Sequence, residues 1–162
     1  MSEDFLHSLR QYTAIIRKVC RLYTFNREDR EDLEQEVMLQ LWRSWDSFRD
    51  EASRSTWVYR VAMNTAVSFV RKDTRMKRSA GPLPDGETDD GRRLKEEKEE
   101  LYEMLRRLSD ADRMLAMFYL DELSYEEIAG ITGWTVNNVG VRMNRMRARL
   151  KKIFEDGHTG TL

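Results

Sequence analysis

Residues 1–80 contain no glycine and no proline, and residues 92–129 contain neither. Without either residue the backbone has few built-in breaks, so both stretches can run as helix. Cysteine is limited to Cys20 and histidine to His7 and His158. No intramolecular disulfide can form, and no zinc-type ligand cluster can be assembled. Cys20 falls on an apolar helical stripe and reads as a buried structural thiol. No N-terminal apolar core of signal-peptide length is present, and no run approaches the ~20 residues that span a bilayer, which implies a cytoplasmic protein without direct membrane insertion. A nucleophile–base pair, a phosphate-cradling glycine loop and an RNA-module signature are missing too, so no catalytic residue, small-molecule substrate, metal or cofactor is expected. Charge of one sign is also lacking. The 28 basic and 29 acidic residues leave a net charge of -1, so any contact with nucleic acid must come from local arrangement.

The glycines and prolines that do occur are clustered. Pro82 and Pro84, with three of the eight glycines, sit in Gly81–Gly91, an acidic segment with no basic residue and no apolar periodicity. It reads as a flexible linker over 79–92. The expected fold is all-α: a helical bundle over 1–78, a four-helix domain over 93–155, and a flexible tail over 156–162.

Apolar residues stepping by three or four predict the helices. Phe5, Leu9, Tyr12, Ile16, Val19 and Tyr23 predict one; Leu33, Val37, Leu41, Trp45 and Phe48 a second, starting in the acidic run 28–32, where carboxylates suit the positive end of the helix dipole. Trp57, Val61, Thr65 and Phe69 predict a third running into basic 71–78. Beyond the linker, Leu94, Leu101, Leu105 and Leu108 predict a fourth. Ser109 or Asp110 would cap a fifth carrying Leu115 and Phe118.

Leu123–Leu150 holds the densest signal. Ser124 and Glu127 form a capping box; Ile128, Ala129 and Ile131 supply an apolar face; Gly133 suits a left-handed helix end; Thr135 caps the next helix. A short helix, a glycine turn and a longer helix make a helix-turn-helix. The second helix would bury Val139, Met143, Met146, Leu150 and Ile153, and expose Asn138, Arg142, Arg145, Arg149 and Lys152. From Ile128 to Phe154 there are six basic residues and no acidic one. Such a face fits the DNA major groove, where arginine pairs with guanine, asparagine with adenine, and later basic residues with phosphates.

The N-terminal half carries a family resemblance. Asp29–Trp42 resembles the polymerase-binding segment of extracytoplasmic-function sigma factors, and Ser55–Ala66 resembles that family's promoter-melting, −10-reading helix. Leu123–Leu150 is similar to its −35-reading motif, so the likeness spans most of the chain in the right order. It implies a two-domain factor that directs core RNA polymerase to promoters and helps open the −10 strand. It further implies contacts of Asp32, Gln35, Glu36 and Leu39 with core polymerase, whose β′ clamp and β flap would be the docking points. Phe48, Val61, Asn64 and Thr65 would line a pocket for a flipped −10 base, with Arg60, Arg71, Lys72 and Arg75 tracking the backbone. Thr135, Asn137, Asn138, Arg142, Asn144, Arg145 and Arg149 would meet the −35 duplex. An anti-sigma protein is an implied partner. Two departures stand out: Arg54-Ser55 replaces the commoner aromatic-arginine pair of the melting helix, and Gly140-Val141 replaces a basic residue and a serine. The acidic linker would thread a basic polymerase channel. The competing reading is a helix-turn-helix regulator that never joins polymerase, which would leave Asp29–Trp42 without a purpose.

Overall fold

Asn26 opens the helix that begins at Arg27 by accepting a hydrogen bond from the Asp29 amide at 2.8 Å, while its own side-chain amide donates to the Asp29 carboxylate at 2.7 Å. Such local caps delimit most elements in the computed structural model, which describes residues 3–72 and 89–159 and, within these, the side chains of 3–72 and 93–157. All eight elements of any length are α-helices, and the described residues contain no strand. They fall into two units, one on either side of residues 83 and 84.

The first unit comprises α1 (Glu3–Arg10), α2 (Thr13–Tyr23), α3 (Arg27–Ser44), a 3-10 turn (Trp45–Ser47) and α4 (Arg54–Lys72). The single helix expected over Phe5–Tyr23 is two helices. Tyr12 sits near the bridge region (φ -104°, ψ 1°), and its amide closes a turn on the Leu9 carbonyl at 2.9 Å. Nothing in 10–13 forbids continuation, so tertiary packing decides. The bend accompanies complete burial of Phe5, which meets the edges of Trp42 and Trp45 at 5.1 and 4.9 Å between centroids. The second expected helix likewise stops early, at Ser44, whose hydroxyl donates back to the Gln40 carbonyl. Phe48 is then in extended backbone.

In α4 the expected core stripe is displaced. Val58, Ala62, Met63, Ala66 and Val70 are buried against α2 and α3, whereas Trp57, Val61, Thr65 and Phe69 lie half-buried on a neighbouring face. Two apolar stripes overlap here. Alanines permit the closer backbone approach, so the stripe that contains them takes the core.

The second unit comprises α5 (Asp89–Arg106), α6 (Asp110–Leu120), α7 (Tyr125–Thr132) and α8 (Val136–Thr159). Residues 89–92, expected in the linker, belong to the start of α5, and 156–159, expected in the tail, continue α8; residues 79–88 and 160–162 lie outside the described ones. Leu94, expected on a packing stripe, is 62% exposed, while Leu105 and Leu108 are buried. Between α5 and α6, the buried Arg113 donates to the carbonyls of Leu105, Arg106 and Leu108 at 3.1–3.3 Å. One guanidinium thus ties together carbonyls from the last turn of α5 and from the turn that follows it. Ser109, one of the two expected caps, receives the Asp112 amide at the start of α6.

Candidate nucleic-acid and polymerase interfaces

The helix-turn-helix forms as its local signals require. Ser124 and Glu127 exchange both capping-box bonds, at 3.1 and 2.7 Å. Gly133 takes φ 79° and returns its amide to Ala129, and Thr135 accepts the Asn138 amide at 3.2 Å. Ile128 and Ile131 of α7 and Val139, Met143 and Met146 of α8 are buried; Leu150 and Ile153 are only partly so.

All seven residues expected at a −35 duplex are exposed on or just before α8: Thr135, Asn137, Asn138, Arg142, Asn144, Arg145 and Arg149. Their circumstances differ. At about 100° per residue, Asn137, Asn144 and Arg145 point away from the buried stripe, whereas Asn138, Arg142 and Arg149 run along its flank. Arg142 lies over Trp134, its guanidinium carbon 4.3 Å from the ring centroid, and its Nε donates to Asn138 Oδ1 at 2.9 Å. Arg149 pairs with Asp112 of α6. Arg145 has no hydrogen-bond or ion-pair partner among the described residues. Sequence reasoning missed Trp134, an aromatic inside the turn, and the Arg147–Tyr119 stack at 4.8 Å. At Gly140, where a basic residue is commoner, an added Cβ would meet the Tyr125 ring at 3.4 Å. The departure sits where α7 and α8 pack closely.

In the first unit, the residues expected to meet polymerase occupy one arc of α3 opposite buried Leu33, Val37 and Leu41. Asp32, Gln35 and Leu39 are exposed, and half-buried Glu36 accepts from the Gln40 side-chain amide at 2.8 Å. Asp32 lies on the crest beside Leu39, which is 38% exposed. The arc falls into a groove on each side. Gln35 and Leu39 border one of about 850 Å³ against α1 and α2, lined by Leu6, Ile16 and Met38 among others. Glu36 borders the other, of about 580 Å³, against α4.

That second groove gathers three of the four residues expected to hold a flipped base. Val61, Asn64 and Thr65 line it with Gln40, Ser44, Ser68, Phe69 and Lys72. Asn64 is exposed, while the Thr65 hydroxyl already donates to the Val61 carbonyl at 2.7 Å. Phe48 is not part of it. The ring packs on Trp57 at 5.4 Å, and Arg54 lies 4.4 Å from the centroids of both Phe48 and Trp45. Arg54, in place of the commoner aromatic, therefore serves as the filling of an aromatic stack. Arg60, Arg71 and Lys72 are exposed on the same outer side of α4 as Asn64; Arg75 lies outside the described residues. No group of three or more His, Cys, Asp or Glu side chains capable of holding a metal occurs among the described residues. No described helix is long and apolar enough to cross a membrane.

An all-helical pair of units, one ending in a capped helix-turn-helix with a basic outer face, defines a class of DNA-binding transcription proteins. The particular family follows from comparison. The sigma-70 region 2 profile matches residues 9–76, and the sigma-70 region 4 profile matches 98–150. RNA polymerase sigma factor YlaC of Bacillus subtilis (strain 168) is 30% identical over 151 residues, which cover 88% of this chain and 87% of that one. An ECF RNA polymerase sigma-E factor of Haemophilus influenzae is 32% identical over 155 residues, 85% and 82% of the two chains. The solved structure of the sigma factor RpoE in complex with the anti-sigma factor NepR from Bartonella quintana has the same fold, with a TM-score of 0.71 at 22% identity over 95% of this chain and 98% of that one. CnrH, solved in complex with the cytosolic domain of CnrY, gives 0.69 at 18% identity over 94% and 88%. The chain belongs to the sigma-70 family of RNA polymerase sigma factors, in its extracytoplasmic-function branch.

Proposed function

We propose that the chain is a sigma factor working in two places on one promoter, its first unit holding core RNA polymerase and the opened −10 strand, its second the −35 duplex. The observation that carries this reading is the co-occurrence of a region-2 unit and a region-4 helix-turn-helix in one chain, each with an exposed surface of fitting chemistry. The α3 arc of Asp32, Gln35, Glu36 and Leu39 meets the β′ clamp. The Val61, Asn64 and Thr65 groove takes an unstacked base, whose extraction costs a few kcal/mol that a fitted pocket offsets. The basic residues at the end of α4 follow the strand's phosphates. The outer face of α8 reads the −35 duplex while the unit rests on the β flap.

The protein supplies placement and strand capture and leaves catalysis to polymerase. Its domains divide at 1–78, 79–92 and 93–155, allowing for the helical residues at the linker's end. It works in the cytoplasm and is held in check by an anti-sigma protein, as RpoE of Bartonella quintana is bound by NepR. Run-off transcription with purified core polymerase tests the reading: promoter-specific transcripts are expected, and their absence would reject it. Exchanging Asp32 and Glu36 for alanine should abolish binding to core polymerase. Loss of DNA contact with retained polymerase binding would instead overturn the assignment of that arc.

A further inference from the structure

Arg142 is the one arginine of α8, among the described residues, that lies over an aromatic ring and also bonds a side chain one turn earlier on its own helix. Trp134 covers one face of its guanidinium, with 4.3 Å between the guanidinium carbon and the ring centroid. Nε donates to Asn138 Oδ1 at 2.9 Å. The backbone amide of Asn138 donates to the Thr135 hydroxyl at 3.2 Å, which places residue 138 in the capped first turn of the helix. Arg142 is therefore held from two directions, by Asn138 one turn earlier on its own helix and by Trp134 in the turn.

The fork left over is specific. Nε is spent, and the terminal nitrogens Nη1 and Nη2 have no partner among the described residues, so the guanidinium presents its far end to an exposed surface. Two parallel N–H groups in a fixed plane match the O6 and N7 acceptors of guanine in the major groove. Residue 142 lies in the second turn of α8, and the early turns of such a helix are the ones that reach base edges. The contacts with Trp134 and Asn138 reduce the rotamer freedom that a loose arginine would lose on binding.

Resting on the sigma-factor reading, we infer that Arg142 reads a guanine of the −35 element end-on, and that Trp134 and Asn138 are the positioning residues that set its plane. Asn138 is thereby a buttress for Arg142, with its acceptor oxygen occupied. Direct reading by asparagine is left to Asn137 and Asn144 on the outward face.

The test uses the full chain assembled with core polymerase and a pool of promoter duplexes randomised across the −35 region. The expected result is one guanine position, preferred by about tenfold to a hundredfold, as one bidentate arginine contact gives. Arg142→Met keeps the length of the stem and removes the fork, and should erase that preference while leaving the other positions alone. Trp134→Ala should lower it several-fold at the same position, and Trp134→Phe, which keeps an aromatic shelf, should restore most of it. A guanine preference that survives Arg142→Met, or a Trp134→Ala change that weakens every position alike, overturns the inference and leaves the sigma reading intact. The same holds if Arg142→Met lowers affinity without altering any base preference, since the contact is then to phosphate. If the wild-type holoenzyme enriches no sequence over core polymerase alone, the sigma reading fails and this inference falls with it.

Discussion

Arg149 of α8 and Asp112 at the start of α6 form an ion pair across 37 positions of sequence, with the aspartate side chain 9% exposed and the arginine side chain 60% exposed. The arginine expected to meet a DNA phosphate therefore fastens the recognition helix to its own domain. Removing it leaves a nearly buried carboxylate without its cation, which costs more than losing a surface pair. Arg149→Ala should destabilise the C-terminal unit by about 1–2 kcal/mol, read from its denaturation midpoint. The slope of binding against salt should hardly change. Arg145→Ala should do the reverse, leaving stability alone and reducing that slope by about 1. Equal loss of slope in both variants, with no change in stability for the first, would return Arg149 to the DNA interface.

Two helix ends in the same unit use the left-handed region with different residues. Gly133 takes φ 79° with open space around its missing Cβ, so Gly133→Ala should cost about 1 kcal/mol from backbone conformation alone. Glu122, at φ 56°, ends α6 with its amide on the Tyr119 carbonyl and the Leu123 amide on Phe118. That bonding pattern favours glycine. Glu122→Gly should stabilise the unit by about 0.5–1 kcal/mol, raising its melting temperature by a few degrees. A fall in melting temperature would show that the Glu122 side chain has a role beyond ending the helix.

These helix ends also show what the sequence makes readable. A capping box, a left-handed glycine and a second cap act within four residues, so Ser124, Gly133 and Thr135 announce the helix-turn-helix without help from the rest of the chain. Asp112–Arg149 and Trp134–Arg142 join parts that periodicity treats separately, and each alters the role of an arginine that looks free on a helical wheel. The break at Tyr12 was invisible for a different reason: the stripe from Phe5 to Tyr23 stays in phase, and only the fit of Phe5 against Trp42 and Trp45 prefers two helices. In α4, Trp57 and Phe69 carry the larger apolar side chains, although Ala62 and Ala66 mark the packed face. That exchange leaves Val61 and Thr65 lining a groove with Asn64. The base-holding site expected by resemblance would thus use the half-buried face beside the packed one.

Cys20 is fully buried between α2 and its neighbours, and its thiol is pushed up from 9.0 to about 12, first by burial and then by the negative charge of Glu34. The folded thiol binds its proton more tightly than the unfolded one. Its contribution to stability is therefore complete below about pH 9 and is lost as pH rises towards 12. At pH 8 a thiol reagent should react with the native protein only as fast as the first unit opens, and denaturant should speed labelling in step with unfolding. Rapid labelling of the folded chain would show a local opening around α2.

Asn64 is the exposed amide in the groove between α3 and α4, with Val61 and Thr65 beside it and Lys72 at its rim. The Thr65 hydroxyl is already donating to Val61, so its proton is committed within the helix. Asn64 offers both a donor and an acceptor that no described residue occupies, which suits the Watson–Crick edge of an unstacked base. Asn64→Ala should reduce promoter opening by about tenfold, the worth of one to two hydrogen bonds, as followed by permanganate reactivity of unpaired thymines. Binding to core polymerase should be unaffected, because the substitution leaves Asp32, Gln35 and Leu39 on the exposed side of α3 unaltered. Phe48→Leu, by contrast, should lower the stability of the first unit through its packing on Trp57 and Arg54 and change opening only in proportion. Opening that is insensitive to Asn64→Ala but lost in a stable Phe48→Leu protein would move the captured base from the groove to the aromatic stack.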